Sequence, residues 1–314
     1  MGNVKYKEKE EMEKKYLCID VGGGSIKYAI MDRKLHFYEK GNIVTPYEGV
    51  EKYLDALEGI YQKYHAEVCG IAMSVPGIID SKKGICISGG NLTYIRKFPL
   101  GPELEKRCQV PVTVMNDAKA AAMAEAKWGA LANCNDGVVI VLGTGVGGAF
   151  VKDGQVHMGK HFSAGEFSFL MTDMSEKIPD NTWGVLGGKE HLNKLAAKAK
   201  GESPKNITGF KVFEWANDGD EKVLEALDSF TKTIAYMIVN LQLILDPDRF
   251  AIGGGISQQP LLLEYVQKNL DYYYSLYPEH FEEFPRAEVV TCEYFNNSNL
   301  IGALGYYLDR VKQV

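Results

Sequence analysis

The sequence predicts an α/β chain of two lobes, and three observations predict it. Apolar runs of strand length alternate with segments of helical period along most of the 314 residues. Two stretches read as paired strands joined by a glycine-rich tip, YLCIDVGGGSIKYAIMD at 16–32 and GVVIVLGTGVGGAFVKDGQV at 137–156. A third glycine cluster, in RFAIGGGIS at 249–257, ends another strand in the second half. A chain of this length makes two domains, or one domain of two lobes.

The elements follow in order. YLCIDV (16–21) and IKYAIMD (26–32) flank GGGS. Residues 47–64 carry Val50, Leu54, Leu57, Ile60, Tyr61 and Tyr64 at helical spacing. CGIAMSVPGIID (69–80) is a buried strand stopped at Pro76-Gly77, and PVTVMND (111–117) is another strand. The alanine-rich run 117–131 continues from it as a helix. In the second half a long helix runs from about Glu221 to Leu245 and stops before Pro247. A helix at 260–274, a strand at 287–295 and a helix at 299–312 complete the chain. There is no short-period repeat, but the two halves open on the same strand–tip–strand unit. Residues 1–117 with 299–314 are the expected small lobe; 118–298 are the large lobe, with a helical insert at 189–235.

Composition narrows the function. The net charge of −6 implies no basic face, which disfavours nucleic acid or a membrane surface as partner. No apolar run approaches the length of a membrane span. The first fifteen residues, MGNVKYKEKEEMEKK, are a charge run without the apolar core of a signal peptide, and read as a solvated arm or an extra helix. Six cysteines stand apart with no C-x-x-C, as fits a reducing cytoplasm.

Several motifs imitate phosphate sites. In NTWGVLGGKE (181–190) the glycine before Lys189 is Gly188, and its P-loop partner position is Trp183. Glu190 follows the lysine where a P-loop needs Ser or Thr, so that reading fails. GTGVGG (143–148) contains G-x-G-x-x-G, but a strand follows it where the dinucleotide fingerprint needs a helix. Taken singly, each glycine tip is a tight hairpin turn. Three tips at corresponding strand ends suggest backbone nests that bind phosphate. Asn116-Asp117, between a strand and a helix, reads by itself as a helix cap.

IDVGGGSIK (19–27), ND (116–117), LGTGVGGA (142–149), AGE (164–166) and AIGGGIS (251–257) together resemble the ROK family (repressor, open reading frame, kinase). They stand in that family's order and spacing and cover nearly the whole chain. The resemblance implies an actin-like, hexokinase-like ATPase fold (ribonuclease H-like), with two lobes closing on ATP-Mg²⁺ and a sugar in the cleft between them. It places ATP on Gly22, Gly23, Gly24, Ser25 and Lys27, on Thr144 and Gly145, and on Gly254 and Gly255. Asp20 matches the acid that faces Mg²⁺ through water. The family usually has Thr where this chain has Gly24, and Ser25 is the hydroxyl that could replace it. Asp117 matches the catalytic base, a carboxylate that takes the proton of the attacking sugar hydroxyl. Asn116, Gly90, Asn91, Glu166, Glu190 and His161 are the expected sugar contacts.

NTWGVLGGKE also gains a register. ROK kinases commonly carry C-x-C-G-x-x-G-C-x-E, whose three cysteines and the His of E-x-G-H bind structural zinc. This chain keeps Gly184, Gly187 and Glu190, but Asn181, Trp183 and Gly188 stand at the cysteine positions and Phe169 at the histidine. Such a set cannot ligate zinc, so no structural zinc is expected, and Phe169 packed on Trp183 is the expected replacement. His157 and His161, four apart near Glu166, are a weaker candidate metal pair. His191 reads as a residue of a helix start.

The resulting expectation is an ATP- and Mg²⁺-dependent kinase acting on the 6-hydroxyl of a hexose or hexoside. Glucose is the default acceptor; β-glucosides, N-acetylmannosamine, N-acetylglucosamine and fructose are the alternatives. A sugar sensor related to the ROK repressors is the reading from another class, although too few residues precede the first strand for a helix-turn-helix domain. A homodimer agrees with the resemblance.

Overall fold

The computed structural model describes residues 14–311 apart from 176, 285 and 287. The N-terminal charge run, up to residue 13, lies outside the described residues. The chain divides into two compact units. One holds the described residues up to 127 with 158–163 and those from 297 on; the other holds 128–157 and 164–296. The helix after Asp117 thus stays almost wholly with the first unit, where the sequence reading put the edge at 117.

In chain order the first stretch runs β1 (Lys15–Val21), β2 (Ser25–Asp32), β3 (Phe37–Val44), α1 (Val50–Tyr64), β4 (Val68–Val75), β5 (Ile79–Asp80), β6 (Ile85–Ser88), β7 (Arg96–Phe98), α2 (Leu100–Cys108), β8 (Val112–Asn116) and α3 (Asp117–Trp128). Next come β9 (Gly137–Leu142), β10 (Val146–Lys152), β11 (Gln155–Val156), α4 (Trp183–Leu186), α5 (Lys189–Lys200), α6 (Gly209–Asn217), α7 (Glu221–Leu245), β12 (Arg249–Gly253), α8 (Pro260–Ser275), α9 (Pro278–Phe281), β13 (Glu288–Thr291) and α10 (Ser298–Val311).

Each unit is built on one five-stranded sheet, and the two sheets share a plan. The first has the order β3-β2-β1-β4-β8, the second β11-β10-β9-β12-β13. In both, three antiparallel strands form a meander, and two further strands run parallel to its first strand. The duplication suspected from the two tips therefore extends to whole sheets. Parallel strands bury both faces, and β1, from Tyr16 to Val21, is buried throughout.

The sequence reading missed β3 and the small sheet β5-β6-β7. The outer strand β3 has no buried residue and carries Glu39 and Lys40, so it lacks the apolar run of a central strand. β5–β7 have two to four residues each, too short for a periodic signal. The expected strand 287–295 contracts to β13.

Helix α3 positions the candidate base. Its residues from 118 to 125 are all buried, five of them alanines and two, Lys119 and Glu125, charged. A Cβ on Gly302 of α10 would lie 1.6 Å from the Ala120 carbonyl oxygen, so α3 and α10 meet backbone to backbone. In the second unit, α7 starts at Asp220, whose carboxylate caps the Val223 N–H, and ends at Asp246 in a left-handed conformation.

Candidate active site

Each unit carries half of the predicted constellation, at the C-terminal ends of its parallel strands, where α/β sheets place ligands. In the first unit Asp20 lies near the end of β1 and is 8% exposed. Its Oδ1 accepts hydrogen bonds from Ser74 Oγ at 2.7 Å and Asn299 Nδ2 at 2.9 Å. Both bonds end on one oxygen, which fixes the carboxylate plane.

The β1–β2 tip is held by its carbonyls. Thr45 Oγ1 donates to Gly22 O, Tyr47 OH donates to Gly23 O, both at 2.7 Å, and the Thr45 N–H reaches Gly24 O at 3.4 Å. Among the described residues the N–H groups of Gly23 and Gly24 have no acceptor. None of the three glycines has a positive φ. A Cβ on Gly24 would meet nothing within 4 Å. The hairpin itself therefore does not require glycine at 24, and the tip is an open nest of donors suited to an anion. Ser25 opens β2, and Lys27 is exposed.

At the end of β8, Asn116 is 5% exposed and fully engaged. Its Oδ1 accepts the Lys119 N–H at 3.0 Å, capping α3. Its Nδ2 donates to Gly77 O and to Asp117 Oδ1, both at 2.9 Å. The Ala118 N–H donates to the same Asp117 oxygen at 2.8 Å. The cap reading of Asn116 thus holds, and the same side chain also orients the Asp117 carboxylate. Asn91 is exposed, with its Nδ2 3.8 Å from where a Gly23 Cβ would stand, so the Gly90-Asn91 segment and the tip adjoin. The backbone of Gly90 packs on Gly77, the glycine that holds Asn116. His161 belongs to this unit and is exposed.

In the second unit three glycine segments converge on the end of β9. The Gly143 N–H donates to Gly145 O at 2.9 Å, closing the β9–β10 turn around Thr144. Gly143 O accepts the Lys189 N–H from the first turn of α5 at 2.9 Å. A Cβ on Gly188 would lie 2.2 Å from Thr144 O, so NTWGVLGGKE is packed directly against the second tip. Gly254, with φ +98°, would put a Cβ 2.2 Å from Leu142 O; its neighbour Gly255 faces open space. Ser168 Oγ donates to Val146 O at 2.8 Å beside these turns. Glu166 precedes Phe167, which packs on Gly148 of β10, and Glu190 is exposed in the first turn of α5. Burial, with Lys194 nearby, lowers the pKa of the His191 imidazole at that helix start.

The expected Phe169–Trp183 staple is not what forms. Phe169 is 75% exposed, and the ring beside fully buried Trp183 is Phe167, with centroids 5.6 Å apart. Phe167 is the residue anchored on Gly148, so it and not Phe169 faces the core. At another of the positions that the resemblance matches to zinc ligands, Asn181 is buried, its Nδ2 donating to Ser175 O at 2.7 Å and Asp173 Oδ1 at 3.2 Å. An amide thus ties the loop. His157 stacks on Phe150 at 4.7 Å, and among the described residues no three His, Cys, Asp or Glu side chains come together as a metal site.

The ROK family model matches residues 16–310. The chain belongs to the ROK family. A beta-glucoside kinase of Klebsiella pneumoniae is 28% identical to this ROK chain, over 93% of it and 96% of the relative. An N-acetyl-D-glucosamine kinase of Vibrio atlanticus is 28% identical over 82% of this chain and 90% of its own. A crystal structure of a ROK family protein from Streptococcus pneumoniae, in complex with sucrose, superposes with TM-score 0.83 at 30% identity, covering 96% of this chain and all of that one. The fold is the two-lobed actin-like ATPase fold of ROK proteins. No helix among the described residues is long and apolar enough to cross a membrane.

Sequence reasoning missed the residues that hold this ROK half-site in place. Ser74 was visible as the one hydroxyl in the apolar run CGIAMSV. Asn299, 279 positions from Asp20, carried no signal of its own. Thr45 and Tyr47 act through the carbonyls of the tip, which no motif marks.

Proposed function

We propose that the chain transfers the γ-phosphoryl group of ATP to the 6-hydroxyl of a glucosyl unit, free or in a β-glucoside. That it is a sugar kinase follows from its family and its named relatives. The finer reading is carried by one arrangement: the Asp117 carboxylate, held by Asn116 Nδ2 and the Ala118 N–H, in the same unit as the open glycine tip and Asp20.

The chemistry divides among the residues. Asp117 accepts the hydroxyl proton as that oxygen attacks phosphorus, and ADP leaves with the electron pair of the broken P–O bond. A base so placed contributes typically 10²–10⁴-fold. The free N–H groups of Gly23 and Gly24, with the turns around Thr144, Gly145 and Gly255, suit the phosphates of ATP. Asp20, with Oδ1 committed to Ser74 and Asn299, has Oδ2 left to hold Mg²⁺ through water. Bound Mg²⁺ neutralises charge on the β- and γ-phosphates. Asn91, Glu166, Glu190 and His161 are assigned to the sugar hydroxyls. Sites of this kind reject analogues that lack a hydroxyl, because their polar groups are then left unpaired.

A β-glucoside is favoured over other glycosides by the Klebsiella relative, which spans nearly the whole chain. The site takes no zinc in this reading, since Phe169, Asn181, Trp183 and Gly188 offer no thiolate or imidazole. ADP release measured with glucose, cellobiose, mannose, fructose and the N-acetylhexosamines tests the proposal. Turnover on glucose or cellobiose is expected. No turnover on any sugar, or full turnover by Asp117→Asn, would sink it.

A further inference from the structure

The first unit has a cavity at the end of the sheet opposite Asp20 and Asn116. It has a volume of 360 Å³ and lies among the β5–β6 turn, the start of α2, the start of β8 and the end of α10. Ligand pockets for small molecules begin at about this size. Its wall carries three cations, Lys82, Lys83 and Arg310, against one acid, Glu105.

Two observations show that this is more than a charged surface. Ser81 is 6% exposed and lines the cavity, yet its Oγ has no hydrogen-bond partner; the same holds for the buried Oγ1 of Thr113. A buried hydroxyl left unpaired costs on the order of 1–3 kcal/mol. The wall is also built firmly. Asp80 Oδ1 accepts the N–H groups of Lys82 and Lys83 at 3.1 and 3.2 Å, which fixes the turn. From α10, Tyr306 OH donates to Ser81 O at 2.8 Å, and Arg310 Nη2 to Lys82 O at 3.1 Å. The side chains of Lys82 and Lys83 are exposed and, among the described residues, unpaired.

Three cations and a volume of this size suit a sugar phosphate, with the phosphate against Lys82, Lys83 and Arg310. We propose that the cavity is a regulatory site for a phosphomonoester of hexose size, the chemical class of the product in the kinase reading on which this inference rests. The coupling route is physical. α10 spans about 16 Å from Asn299 to Arg310 at 1.5 Å per residue. Its first turn holds the Asp20 carboxylate and its last turn lines the cavity. β8 likewise enters at Thr113 and ends at Asn116. A ligand that shifts either element acts on the groups that aim Asp20 and Asp117.

Calorimetric titration of the full chain with glucose 6-phosphate tests this, beside the variant Lys82→Gln/Lys83→Gln. The variant leaves the fold intact, because neither side chain is buried, and equal melting temperatures check it. The wild type is expected to bind at least tenfold more tightly than the variant, with the same affinity for Mg-ATP in both when no phosphomonoester is present. Saturating glucose 6-phosphate is expected to change Mg-ATP affinity in the wild type, and by reciprocity Mg-ATP changes glucose 6-phosphate affinity by the same factor. Equal binding by both proteins, or none by the wild type, overturns the site. Equally tight binding of inorganic phosphate overturns the hexose-sized ligand and leaves only an anion site. Unchanged Mg-ATP affinity overturns the coupling. Sugar turnover is measured on the same preparations without effector, so failure of the kinase reading is seen separately.

Discussion

Asn116 decides between two roles that the same residue could serve. The resemblance makes it a sugar ligand; its hydrogen bonds make it the residue that positions Asp117. Both Nδ2 protons are committed, one to Gly77 O and one to Asp117 Oδ1, and Oδ1 caps the Lys119 N–H. Replacement by Ala removes all three bonds at a site 5% exposed. Loss of the cap costs about 1 kcal/mol. Leaving the Gly77 carbonyl and the carboxylate each short of a donor adds about 1 kcal/mol apiece. The expected total of about 3 kcal/mol is roughly a fifth to three-fifths of a typical domain's stability. With one donor lost the carboxylate is aimed less tightly, so kcat falls about 10–100-fold, within what a general base contributes. Asn116→Ser keeps an oxygen for the cap and returns about 1 kcal/mol, but its shorter side chain does not span from the Lys119 N–H to Asp117 as the amide does, and so leaves kcat low. Denaturant melts and steady-state kinetics on the three proteins measure both effects. An Asn116→Ala enzyme with normal kcat and a sugar KM raised tenfold or more would refute the positioning role and restore the ligand role.

The other predictions concern separate parts of the molecule. Gly24→Thr finds open space and no positive φ, so it folds normally and lowers the KM for Mg-ATP; an unchanged KM would show that no phosphate lies at that tip. Glu190→Ala raises the sugar KM tenfold or more with the ATP KM held within about twofold, since Glu190 has no packing role to lose; equal effects on both would remove it from the sugar site. Burial pushes the Asp32 carboxyl up in pKa, but bonds from the His36 N–H and ring, Tyr38 OH and Lys34 N–H outweigh it and leave the pKa lowered. The unfolded chain therefore holds that proton more tightly. The stabilisation is complete above the unfolded value of about 3.9 and is lost as pH falls through the folded one, so the melting-temperature gap between wild type and Asp32→Asn narrows below about pH 4. Metal analysis of the purified protein finds no stoichiometric zinc, and a full equivalent would show ligands outside the four replaced positions.

The fold was legible where the chemistry repeats with a period. The helical stripe of α1 and the buried runs of β1, β4, β8 and β9 carry their own burial in their spacing. What could not be read acts at short range through backbone atoms. β3 looks like surface because it is an edge, and Thr45 and Tyr47 secure the first tip through carbonyls that every residue has.

NTWGVLGGKE shows the same division inside one segment. Its glycines suggested a phosphate loop, and the family register suggested the shell of a lost metal site. The geometry supplies a reason that neither pattern contains. Gly188 can be nothing larger, because Thr144 O would lie 2.2 Å from its Cβ; Gly187 meets the ring of Trp183, and Gly184 meets Ser168. These glycines are required by close packing against the turn that holds Thr144 and Gly145. The segment is thus a buttress for the second tip, locked by the Lys189 N–H on Gly143 O. A metal is one way to fix such a buttress. Buried Trp183 on Phe167, with Asn181 tying the loop to Ser175, is another that needs no ligand from outside the chain. Since α5 begins at the buttress, whatever fixes the loop also fixes Glu190, and a Trp183→Ala variant should loosen sugar binding without touching a single sugar contact.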